Sequence, residues 1–71
     1  MVSLQTKQAE AIYQKLFVAY CQGRTLTKLS LILDTREQYR IGLLDACNLV
    51  NLMQRNHEDI LERMGFDSIA R

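Results

Sequence analysis

Two cysteines, one histidine and a scatter of carboxylates are the residues in this 71-residue chain whose types could support catalysis. A thiol becomes a working nucleophile when a base lies within hydrogen-bond reach of it. Cys47 and His57 are ten residues apart, and on one helix that separation is about 15 Å along the axis at about 1.5 Å per residue, so the two cannot meet within a protomer. Cys21 can approach His57 only through the tertiary fold. A lone histidine does not make a metal centre, and its neighbours Asn56, Glu58 and Asp59 leave a helix in different directions. Glu58 and Glu62 share a helix face one turn apart, the pattern of solvated charges when no cleft is implied. The glycines Gly23, Gly42 and Gly65 lie too far apart to form a phosphate-cradling loop. The residues therefore imply no enzyme and assign no catalytic, cofactor-binding or metal-binding role.

Binding chemistry has more to work with. The net charge is +1, but it is uneven: residues 1–22, 23–44 and 45–71 carry +1, +2 and −2. Such an excess in the middle third most simply marks a solvated face complementing an acidic neighbour, and the near-neutral total implies neither a nucleic-acid nor a membrane partner. Within that third, Leu26 to Leu33, a break at Asp34 and Thr35 to Leu44 can be laid on a helix-turn-helix. Arg36, Gln38, Tyr39 and Arg40 would then face a DNA groove, with Arg24 and Lys28 near phosphates. The turn lacks a glycine, and bulky leucines stand where close helix packing favours small residues. This nucleic-acid reading is the alternative.

The positioning elements are helical throughout. Leu43, Ala46, Val50, Met53, His57, Ile60 and Met64 are spaced 3, 4, 3, 4, 3 and 4, an apolar seam that Cys47, Leu49 and Leu61 widen into a core-facing stripe. Asp45 is the expected N-cap of this helix and Gly65 its left-handed stop. A first helix, capped by Ser3 or Thr6, runs through Ala9, Ile12, Tyr13, Leu16, Ala19 and Tyr20 to Gly23. Phe17, Val18 and Cys21 fall at the margin of its stripe or beyond it, and an exposed Phe and Val side by side hint at a protein contact. The plainer reading has Phe17 wrapping round the core edge and Val18 as a lone surface residue.

Between these helices, Thr25 or Thr27 can cap a further one. Leu29, Leu31 and Leu33 also alternate as a strand would, but no partner strand is evident and a helix is preferred. Asp34 and Glu37 form a loosened capping box. Continuing the phase of Leu26 and Leu29 would draw Arg36 and Arg40 into the apolar stripe, so a kink or break is expected near Asp34, with Gly42 as the left-handed stop. Phe66 and Ile69 could tuck against the bundle. No linker, repeat, low-complexity tail, signal peptide or membrane span is read.

The expectation is a single all-α domain over residues 1–71, a compact bundle of helices at roughly 4–22, 26–41 and 45–64, or four helices if the chain breaks near Asp34. A domain this small removes only about 60% of its unfolded surface from water, and self-association is a reasonable source of further burial. The two cysteines match no disulfide, zinc or redox spacing and suit reduced thiols in the cytoplasm. The function expected is that of a small regulatory or adaptor protein binding another protein through helical faces, with Phe17, Val18, Cys21 and His57 as contact residues. His57 itself has two readings: a polar residue in a helix–helix seam, setting register or sensing pH, or a ring at the end of the stripe reaching water or a backbone carbonyl. The second is preferred.

Overall fold

A computed structural model of the chain describes residues 4–24 and 26–66. Four helices follow in order: α1 (Leu4–Cys21), α2 (Lys28–Tyr39), α3 (Leu43–Asn56) and α4 (Glu58–Arg63). No strand occurs among the described residues, so the Leu29–Leu33 alternation is resolved as helix. The fourth helix does not come from a break at Asp34. Asp34 lies inside a continuous α2, and the chain breaks instead at His57, which takes φ −129° and ψ 32° between α3 and α4.

Local chemistry explains most of the ends. Gly23, at φ 77°, lets the Arg24 N–H reach the Ala19 carbonyl (2.8 Å) and the Gly23 N–H reach Tyr20 (3.0 Å), the paired bonds of a left-handed helix stop. Gly65 repeats the device at φ 73°, with the Phe66 N–H on Leu61 (2.9 Å) and its own N–H on Glu62 (3.1 Å). Helix α2 stops in the same manner two residues earlier than expected. Arg40, not Gly42, takes the left-handed conformation at φ 53°, and the Ile41 N–H bonds the Arg36 carbonyl at 3.2 Å. Gly42 is extended at φ −70° and is the N-cap of α3, so Asp45 falls in the first turn, where its charge still suits the helix dipole. Thr27 caps α2 by accepting the Ser30 N–H at 3.1 Å. Thr6 sits within α1 rather than before it; Ser3, Thr25 and Ile69 lie outside the described residues.

Helix α3 is the centre of the bundle. It packs along both α1 and α2, whereas those two helices touch each other sparingly. Ala46, Leu49, Val50 and Met53 from α3 meet Ala9, Ile12, Tyr13 and Leu16 from α1 and Leu31 and Ile32 from α2. The seam read from the sequence holds from Ala46 to Met53 and then changes phase. Because His57 breaks the helix, Leu61 turns inward at 2% exposure while its neighbour Ile60 is left 42% exposed. At the other end Leu43 is also half-exposed.

Candidate interaction surfaces

The break at His57 is held from α1. His57 Nε2 lies 2.8 Å from Glu10 Oε1, where an ionised carboxylate accepts the ring N–H. The imidazole also stacks on Tyr13, with ring centroids 3.7 Å apart and planes 13° from parallel. Phe17, one turn further along α1, lies 6.0 Å from the Tyr13 ring. The His57 side chain keeps 18% of its exposure, so it belongs to the α1–α3–α4 junction. The ring pairs with a carboxylate across a helix interface, contrary to the preferred expectation of water or a backbone carbonyl. The backbone shares in this arrangement, since the His57 N–H is divided between the Met53 and Gln54 carbonyls at 3.2 and 3.3 Å.

On the far side of α1 an open cleft of about 500 Å³ separates α1 from α2. Val18, Ala19, Leu26 and Leu31 supply its apolar lining, and Gln14, Gln22, Arg24 and Ser30 its polar rim. An ion pair between Lys15 of α1 and Asp34 of α2 spans one edge. That pair explains why an acid stands in mid-helix where the sequence suggested a cap. Phe17 and Val18 therefore do not form one patch: Phe17 sits beside the Tyr13–His57 stack, and Val18 faces the α1/α2 cleft. Cys21 is exposed on the last turn of α1 and Cys47 is half-buried; both are free thiols.

The residues of the nucleic-acid alternative are not gathered on one reading surface. Lys28 is among the buried residues, Arg24 borders the cleft, and Arg36, Gln38 and Arg40 are exposed on α2 or at its end. Gln38 is two residues from Arg36 and so points about 160–200° away from it on the helix. The stripe that holds Arg36 also holds Leu29 and Leu33, spaced 4 and 3, and it is wholly exposed, with Arg40 exposed just past the helix end. The core side of α2 is a different one, made by Lys28, Leu31, Ile32 and Thr35. The apolar phase from Leu29 into Arg36 thus continues unbroken, facing solvent, and no kink is needed to remove the arginines from the core.

Leu29 and Leu33 were not anticipated as surface residues, although their spacing with Arg36 and Arg40 was legible. Nothing local foretold the Glu10–His57 or Lys15–Asp34 contacts, which join residues 47 and 19 positions apart. Among the described residues no cluster of three or more metal-ligating side chains occurs and no helix is long and apolar enough to cross a membrane. The chain matches no protein-family model, no curated protein and no solved structure.

Proposed function

We propose that this chain is a small non-enzymatic regulatory or adaptor protein that takes an amphipathic helix of another protein into the α1/α2 cleft. The observation carrying this reading is the cleft itself: two helices braced on a shared third one, splayed apart over an apolar floor of Val18, Ala19, Leu26 and Leu31. A partner helix laid there would fill the gap between α1 and α2, burying apolar side chains in the middle and leaving the polar rim to hydrogen-bond at the edges. The free thiols of Cys21 and Cys47 suit a cytoplasmic setting for such a protein. The helix-turn-helix alternative has lost the turn at Asp34 on which it depended, and its exposed residues Arg24, Arg36, Gln38 and Arg40 are not gathered on one face.

Val18→Glu tests the reading, because Val18 is half-exposed and a carboxylate there can reach water without disturbing the core. Helical content should be unchanged, while the proteins retained by the immobilised chain from a nuclease-treated native lysate should be lost or sharply reduced. An identical set retained by wild type and variant would remove the cleft from the function.

A further inference from the structure

The apolar seam of α3 runs on past the end of the helix. Met53, His57, Ile60 and Met64 keep the spacings 4, 3 and 4 through the break, so a straight helix over α3 and α4 would carry Ile60 on the core-facing stripe. The bent chain uses Leu61 instead, at 2% exposure, and leaves Ile60 42% exposed. A single residue separates the two arrangements: Asn56 and Glu58 are helical and His57 between them departs, at φ −129° and ψ 32°. That departure starts α4 without a side-chain cap. In a straight helix the N–H groups of Glu58, Asp59 and Ile60 would meet the carbonyls of Gln54, Arg55 and Asn56. The His57 N–H already reaches the Met53 carbonyl at 3.2 Å, a bond that a straight helix keeps. Against those backbone bonds the bent form sets the burial of Leu61, the Tyr13 stack, the Glu10 bond and the acidic first turn of α4, where Glu58 and Asp59 suit the helix dipole.

We infer that α4 is a two-position element whose state is set at His57: bent, with Leu61 in the core, while Glu10 and Tyr13 hold the imidazole, and straight on α3 once that hold is released. The two forms compete because the same segment carries both an in-phase inward residue, Ile60, and an out-of-phase one, Leu61. Straightening withdraws Leu61 from the core cluster and completes the backbone ladder across residue 57. Both holding residues stand on α1, three positions apart. The seat of α1 against α3 is therefore relayed to α4, which gives the fold a discrete conformational response rather than a gradual one. This element stands apart from the α1/α2 cleft.

Nuclear magnetic resonance of isotope-labelled protein reads the two states. In wild type the Cα shift of His57 should be non-helical, and the helix-type contacts between residues three and four apart should be interrupted there. Glu10→Ala changes a half-buried side chain outside the core cluster. It should move the His57 shift toward helical values and bring in helix-type contacts from Gln54 to Glu58 and from Asn56 to Ile60. His57→Leu should complete the change, exposing the Leu61 methyl groups to a dissolved paramagnetic probe and shielding those of Ile60. Gln8→Ala, two residues from Glu10 and so on the opposite side of α1, should leave the bend as in wild type. A Glu10→Ala chain that keeps the wild-type shifts overturns the inference, and it decides alone if His57→Leu does not fold. A folded His57→Leu chain that stays bent, or a Gln8→Ala chain that straightens equally, overturns it as well.

Discussion

Leu61 and Ile60 are adjacent in sequence and opposite in burial, and truncating each to alanine separates a broken α3–α4 helix from a continuous one. Leu61 is 2% exposed, so its truncation loses the transfer free energy of the side chain and leaves a cavity. Buried Leu→Ala changes cost about 2–5 kcal/mol depending on how far the site collapses. Helix α4 has six residues and lies at the edge of the bundle, so it can settle inward, which places the cost at about 2–3 kcal/mol. Ile60 is 42% exposed and encloses no comparable volume. Its truncation should cost about 1 kcal/mol or less, since alanine also regains helix propensity. For a domain of this size 1 kcal/mol moves Tm by about 4–8 °C, so Leu61→Ala should melt about 10–20 °C below wild type and Ile60→Ala no more than about 8 °C below. Far-UV circular dichroism with urea and thermal melts, at a concentration where the chain is monomeric, reads both. If Ile60→Ala costs as much as Leu61→Ala, the seam runs unbroken through His57 and the phase change is wrong.

The junction itself can be measured by a double-mutant cycle. His57→Ala should lose about 1–2 kcal/mol through the Tyr13 stack and the Glu10 bond, and adding Glu10→Ala should cost almost nothing more; additive losses would mean the two do not interact. Thr27→Ala removes the side-chain acceptor of the Ser30 N–H and should lower stability by about 1 kcal/mol in urea unfolding, with an unchanged midpoint arguing against that cap. Met53 is fully buried at the centre of α3. Met53→Asp should abolish folding by placing an unpaired charge there, and a wild-type melting curve would contradict the helix register.

Much of the fold was written locally. Helical periodicity marked α1 and the centre of α3, Thr27 and two of the three glycines marked ends, and Ala46, Val50 and Met53 faced the core as their spacing required. These follow from the sequence because a helix, its caps and its amphipathic period involve only residues within a turn or two of each other. What the sequence left open was which face each helix would bury. On α2 two stripes compete. One is Leu29, Leu33 and Arg36, and the other is Lys28, Leu31, Ile32 and Thr35. Apolar content alone did not choose between them, and the expected break at Asp34 arose from following the stripe that proved to be outside.

Packing chose. Leu31 and Ile32 fit against α1 and α3, the buried lysine and threonine turn with them, and Asp34 is placed to meet Lys15. The His57 break has the same origin. A histidine at a seam position reads as a flaw in an apolar stripe until Glu10 and Tyr13 are brought beside it from the other end of the chain. Once that polar partner and ring are in place, the backbone turns at His57, Leu61 replaces Ile60 in the core, and α4 becomes a separate helix. Local sequence determined that the chain is helical and where α1 and α4 stop. Contacts between residues 19 and 47 positions apart decided which sides face inward, because only close packing of whole helices compares one stripe with another.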